Sequence, residues 1–310
     1  MDRGKLNSNL LLLITSTIWG FGFVAQEMGS DHLGPNAFNG TRYSVGVVCL
    51  LIILLLWHRG RAMDGFRSRD WVKASLSAGL FLFFGSLLQQ AGIGDESTGP
   101  GKAGFITGLY VVIVPLLGLG LGHRTNTQMW AGVALATVGL WLLSFNPGNE
   151  QWAIRRGDLL VFFGAFCWAA HVLVIDRFAN RVSSLHLALG QVTVCAGASW
   201  VASALAEPME WASFRAAFLP ALYLGSMSIA VAFTMQIIGQ RKAHPTHASI
   251  IFAMEAVVGV FAGWLILHEQ LTQRELAGCL LMFCGMVLSQ LPVRLIRLGL
   301  TRRANDKPPA

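Results

Sequence analysis

Between residues 8 and 292 the chain is a succession of ten apolar runs joined by short polar connections: 8–27, 36–57, 72–92, 101–121, 128–145, 157–177, 185–206, 217–238, 247–267 and 275–292. Runs of this length match the hydrocarbon thickness of a bilayer when they coil as α-helices. In lipid every backbone N–H and C=O has to be satisfied inside the segment, so helices are what such runs form. Each is expected to cross once, and no connection is long enough to hold a soluble domain. Composition agrees, with 54% of the 310 residues hydrophobic and 13% charged, roughly half the charge of an ordinary soluble chain.

The runs repeat. Trp19-Gly20-Phe21-Gly22 recurs as Trp168-Ala169-Ala170-His171, Lys102 to His123 realigns on His247 to His268, and Gly132 and Gly139 realign on Gly278 and Gly285. Each half holds five crossings, an odd number, so the second half has to enter the membrane from the opposite side. The expected fold class is therefore an all-α integral membrane protein of ten transmembrane helices, arranged as two inverted five-helix repeats over 8–145 and 157–292. A cytoplasmic tail, 293–310, is expected to be disordered. Inverted repeats are the mark of secondary transporters, in which near-symmetry about the midplane gives alternating access.

Charge sets the orientation. With the N-terminus inside, seventeen of the 23 Lys and Arg residues fall on the cytoplasmic side. Five fall outside (Lys102, Arg155, Arg156, Arg215 and Arg274), and Arg42 lies within the second run. The positive-inside rule then places both termini in the cytoplasm. The first run continues to Ala25 without a small-x-small cleavage site, so it reads as a retained helix rather than a signal peptide. The net charge of +7 is scattered between apolar runs, so no nucleic-acid partner is expected. Cys49, Cys167, Cys195, Cys279 and Cys284 sit in apolar segments with no metal-ligand spacing, and His268-Glu269 lacks the second histidine of a zinc motif, Thr272 standing there. No metal or cofactor is expected. The partners expected are a small-molecule substrate, the lipid bilayer and protons, with a homodimer left open.

Short motifs add a resemblance. Trp19-Gly20, Tyr110 to Pro115, Ala253-Met254-Glu255-Ala256-Val257 and His268-Glu269-Gln270-Leu271-Thr272 together resemble the drug/metabolite transporter superfamily, in its ten-helix EamA-type branch. The resemblance covers residues 10 to 291. It implies two inverted five-helix bundles and a central cavity lined mainly by helices 1, 3, 4, 6, 8 and 9, with helices 5 and 10 behind. It also implies transport of amino acids or related metabolites, commonly by export, in the plasma membrane (the inner membrane of a bacterium).

The polar residues inside the runs are the candidates for function. Glu255 lies eight residues into the ninth run, about 12 Å along a helix and so near the midplane. A carboxylate there costs about 2.5 to 3.5 kcal/mol to insert, which points to a proton carrier or a counter-charge for a cationic substrate group. The alternative is a glutamate that only packs helices. His171, one turn beyond Trp168, is either a proton-exchange group or a neutral histidine bonded across a helix contact. Thr15, Trp19, Gly22 and Gln26 form one stripe on the first helix. Trp19 and Trp168 serve as stacking residues or core fillers, and Gln26, Gln89, Gln90 and Gln236 as substrate ligands or helix bridges. Tyr110 is a candidate cavity donor at the position where the second repeat has Glu255. Gly104 and Gly108 are expected to let helices 4 and 9 cross closely, and Pro115 to kink helix 4. Glu27 and Arg42 are expected to form a structural ion pair, Lys102 to snorkel to the interface, and Asp176 and Arg177 to be solvated end charges.

A secondary carrier, most simply an exporter of an amino acid or a related amine or aromatic compound, fits these features best. Its alternatives are a proton-coupled uptake carrier, a membrane scaffold and an intramembrane enzyme. The enzyme is disfavoured because the buried ionisable groups are too dispersed for paired acids, a nucleophile with its base, or a metal site.

Overall fold

The structure, a computed structural model, describes residues 3–58, 68–95, 99–144, 155–208, 210–266 and 272–290. The tail 293–310, His268-Glu269 and the Lys102 side chain lie outside the described residues. The described chain falls into ten helical segments without a strand: α1 (Arg3–Ser30), α2 (Pro35–His58), α3 (Arg69–Ile93), α4a (Gly99–Gly108) with α4b (Tyr110–Gly120), and α5 (Thr127–Ser144) make the first half. The second half consists of α6 (Arg156–Phe178), α7 (Ser184–Ala206), α8, α9a (Pro245–Phe252) with α9b (Met254–Ile266), and α10 (Gln273–Gln290). The α8 segment has three α-helical pieces (Trp211–Ala216, Phe218–Tyr223 and Phe233–Gln240), the last two separated by a π-helical stretch, Leu224–Ala232. Among the described residues, eight helices are long and apolar enough to cross a membrane, and Thr127–Leu143 is a shorter apolar one.

The outer faces are apolar where a soluble protein would be polar. On α2, Val48, Leu51, Ile52, Leu55 and Leu56 are exposed while Leu50 and Leu54 are buried. Such a contiguous apolar exterior suits hydrocarbon, not water.

Helix starts follow from local chemistry. Ser68 accepts from Trp71 N at 3.0 Å to begin α3, and Thr272 and Glu275 cap α10 reciprocally. The cap of α2 is supplied from the other half of the chain. Glu207, just past α7, accepts from Asn36 N and Asn36 Nδ2 at 2.9 Å each and from Ala37 N at 2.7 Å. Both carboxylate oxygens thus satisfy orphan donors at a helix N-terminus, where the macrodipole also favours negative charge. Glu207→Ala is expected to destabilise the protein by about 1–2 kcal/mol, read as a lower thermal unfolding temperature in detergent. Glu207→Gln is expected to fall between the two.

The two halves pack with repeat symmetry. α5 lies against α10, α3 against α6 and α7, α2 against α7 and the π-helical stretch, and α1 against α8 and α9. Along α5 and α10 the glycines meet backbone to backbone: Gly132 faces Gly285 and Gly139 faces Gly278, so the helices run antiparallel. A Cβ added to Gly139 would stand 2.6 Å from Gly278 O, and one added to Gly278 the same distance from Gly139 O.

Candidate functional site

Two helices are interrupted at corresponding places. α4a gives way to α4b at Leu109, and α9a to α9b at Ala253. The first residues after the breaks include Tyr110 and Glu255, which occupy equivalent positions of the two repeats. Tyr110 Oη donates to Glu255 Oε1 at 3.1 Å, and both residues are 5% exposed. One pair of positions at which the repeats differ in chemistry is therefore a pair that touches.

Pro115 does not cause the break. α4b runs through Pro115 to Gly120, and the equivalent interruption in α9 occurs where Val260 stands in the place of the proline. The glycines of α4 also act differently from expectation. A Cβ on Gly108 would meet Leu140 of α5 at 2.8 Å, and one on Gly104 would lie 3.8 Å from Phe23 of α1. Close approach to α9 comes instead from Gly20 of α1, where a Cβ would sit 2.7 Å from Glu255 O.

Around the Tyr110–Glu255 contact lies a narrow cavity of about 60 Å³. Glu255, His171, Trp19 and Trp168 line it, as do Tyr110, Gln89, Gln236 and Gln26. Side chains scattered over 237 positions of sequence thus converge from α1, α3, α4b, α6, α8 and α9. Trp19 packs between Phe233 and Phe252, with ring centroids 5.3 Å from each, and its Nε1–H donates to Ser228 O at 3.2 Å. Trp168 stacks on Phe233 at 6.4 Å with an interplanar angle of 16°. Gln89 Nε2 donates to Thr107 Oγ1 at 3.0 Å, tying α3 to α4a. Gln90, next to it, donates to Gln26 O at 3.0 Å and bridges α3 to α1. His171 Nε2 meets Gln191 Oε1 at 2.9 Å, a side-chain partner on α7 rather than a backbone carbonyl.

Arg42 also lines this cavity. Among the described residues its guanidinium partners are Asn39 Oδ1, 2.9 Å from Nε, and the ring faces of Phe38 and Tyr43, each 5.5 Å away. The expected ion pair with Glu27 is replaced on the arginine's side by these contacts, because an acceptor one turn back and two aromatic faces hold a cation that is 5% exposed. Sequence reading did not single out Tyr43, Ser228, Phe233 or Phe252. Tyr43 shares a 2.5 Å hydrogen bond with Ser86. The aromatic residues resemble any core filler in the sequence, and nothing in the sequence marks the π-helical stretch that aims Ser228 O.

At the end of the bundle where α4b, α6 and α8 finish, His123 Nε2 lies 3.7 Å from Asp176 Oδ2, so Asp176 is a part-buried residue beside an imidazole and not a freely solvated one. His123 and His244 meet edge-on at 5.7 Å, and His244 and His247 at 6.1 Å. His244 caps α9a by accepting from Thr246 N through Nδ1. Burial, and then the neighbouring His123, hold the His244 pKa below its ordinary value. The folded protein therefore binds this proton less readily than the unfolded chain, so stability is lost as pH falls through about 6.5 and below. In His244→Asn, which keeps a capping acceptor, the decline in unfolding temperature between pH 7.5 and 5.5 is expected to be shallower.

Comparison with known proteins decides the family. The model of the EamA-like transporter family matches residues 6–145 and again 155–291. The chain belongs to the EamA-like transporter family. Its two matches correspond to the two structural halves, and the protein is a multi-pass membrane transporter of the drug/metabolite superfamily. Relatives span nearly the whole EamA-like chain. It is 25% identical to the uncharacterised transporter YoaV of Bacillus subtilis over 288 residues, covering 90% of this chain and 94% of that one. It is 26% identical over 293 residues to an uncharacterised transporter of Archaeoglobus fulgidus, covering 93% and 87%. It is 21% identical over 300 residues to a probable amino-acid metabolite efflux pump of Escherichia coli, covering 92% and 95%. A solved crystal structure superposes with a TM-score of 0.77 at 18% identity, covering 93% of this chain and 98% of that one, a likeness of fold.

Proposed function

We propose that this EamA-like protein is a secondary carrier that exports an amino acid or a related amine or aromatic metabolite by alternating access. The observation that carries the reading is the Tyr110–Glu255 bond, which joins the two repeats at matched helix breaks beside the cavity. Broken helices at a repeat interface are where transporters place their binding sites, because unwound backbone is tolerated in the membrane only where it lines a cavity. The cavity wall offers a carboxylate from Glu255, a guanidinium from Arg42 and an aromatic box of Trp19, Trp168, Phe233 and Phe252. That set complements a zwitterion with an apolar side chain. In Glu255 it also supplies a group able to take a proton or a substrate ammonium. The cavity, about 60 Å³ in volume, is what alternating access would open to each side in turn.

The asymmetry of Lys and Arg supports ten crossings with both termini cytoplasmic, in the plasma membrane of a bacterium. Export follows the efflux pumps among the relatives. The test is counterflow in reconstituted vesicles across a panel of amino acids and amines, with and without a pH gradient. At least one labelled solute should exchange chemically unchanged and faster than in protein-free vesicles. Absence of exchange for the whole panel would refute the reading.

A further inference from the structure

Trp19 and Trp168 are equivalents in the two repeats, and both line the cavity, yet their indole N–H groups have different fates. Trp19 Nε1 donates to Ser228 O, a carbonyl inside the π-helical stretch of α8. Trp168 faces the equivalent helix, α3, which is α-helical from Arg69 to Ile93 and, among the described residues, presents no acceptor to the indole N–H. The Trp168 indole packs over Gly85 of that helix, and among the described residues its buried Nε1 has no hydrogen-bond partner. A buried indole N–H without an acceptor is costly, and such groups in native structures need an explanation. An indole is a donor only, so whatever satisfies it must be an acceptor.

We infer that Trp168 is the residue that binds the substrate's carboxylate, whereas Trp19 is a structural tryptophan that the π-helical stretch has silenced. The inference rests on the carrier reading above and assigns one end of its substrate. An N–H donated to an anionic oxygen is stronger than one donated to a neutral acceptor, and Arg42 on the same cavity wall adds the matching positive charge. The carboxylate is placed where the unused indole N–H and the Arg42 guanidinium line one cavity, opposite in charge to Glu255 on the same wall, so a single substrate orientation is favoured.

The test uses the purified full-length protein and calorimetric binding of three probes that differ by one group each: L-phenylalanine, phenethylamine (no carboxylate) and 3-phenylpropionate (no ammonium). Trp168→Phe keeps a ring and deletes the N–H. It should weaken phenylalanine and phenylpropionate about tenfold or more and leave phenethylamine within twofold of wild type. A second variant, Gly85→Ala, removes nothing from the cavity. It brings a methyl within 3.2 Å of Trp168 Cε2 and 3.4 Å of Nε1, so it should shift the same two probes in the same direction by less. Trp19→Phe should lower the unfolding temperature without discriminating among the probes. A Trp168→Phe protein that weakens all three probes equally, or none, overturns the assignment of Trp168 while leaving the carrier reading intact. A wild-type protein that binds none of the three and fails the counterflow panel overturns the carrier reading itself.

Discussion

Glu255→Gln is expected to reduce transport at least about tenfold and to abolish its dependence on a pH gradient, while the protein still folds. Glutamine is nearly isosteric and keeps an oxygen that accepts from Tyr110 Oη, so the 3.1 Å contact across the repeats survives. What it loses is the capacity to carry negative charge or to bind and release a proton. Glu255 is buried within a helix long and apolar enough to cross a membrane, where a carboxylic group costs about 2.5–3.5 kcal/mol to insert. Removing it should therefore raise, or leave unchanged, the unfolding temperature while the transport rate collapses. Tyr110→Phe separates the two roles: it leaves the carboxylate but frees it from its partner, and should alter the pH profile of transport more than its maximal rate. Unchanged rate and unchanged pH dependence in a monodisperse Glu255→Gln protein would reduce Glu255 to a packing residue.

The second large effect concerns stability. Alanine at Gly139 or Gly278 is expected to lower stability by about 1–3 kcal/mol or more, and valine at either to prevent recovery of folded protein. The added Cβ would lie 2.6 Å from a carbonyl oxygen of the facing helix in each case, and backbone cannot step aside as a flexible side chain can. Separating α5 from α10 to relieve the clash forfeits the whole antiparallel contact, including that between Gly132 and Gly285. Gly197 of α7 is the control, because nothing lies within 4 Å of its added Cβ. Its change to alanine should be neutral or slightly stabilising through helix propensity. The readout is thermal unfolding followed by size-exclusion chromatography in detergent.

The glycine pairs show how far a sequence carries. Alignment of Gly132 and Gly139 on Gly278 and Gly285 revealed that the last helices of the two halves were related. It did not reveal that they pack on each other, since a repeat relation is silent about which symmetry-related surfaces meet. The glycines of α4 show the converse: a GxxxG spacing marked an interface, but the helix it admits is α5 on one side and α1 on the other, not α9. Arg42 was read as one half of an ion pair with Glu27 because the two lie near the same ends of the first two runs. It turns out to line the cavity, since α2 packs against α7 and the π-helical stretch.

Hydropathy, repeat spacing and residue type were enough to determine that the chain is a helical membrane protein of two related halves, because the bilayer allows so few solutions. The polar residues that line the cavity were also legible, since polarity within an apolar run is costly enough to be conspicuous. Tertiary structure alone decided which of them meet. Tyr110 and Glu255 bond to each other across the repeats, just past the interruptions of α4 and α9. The two tryptophans, equivalent in sequence, differ because α8 turns a carbonyl toward Trp19 while, among the described residues, α3 presents no acceptor to Trp168. Partnership of this kind depends on where a neighbouring helix presents a carbonyl, and that is a property of packing between distant segments, not of either segment by itself.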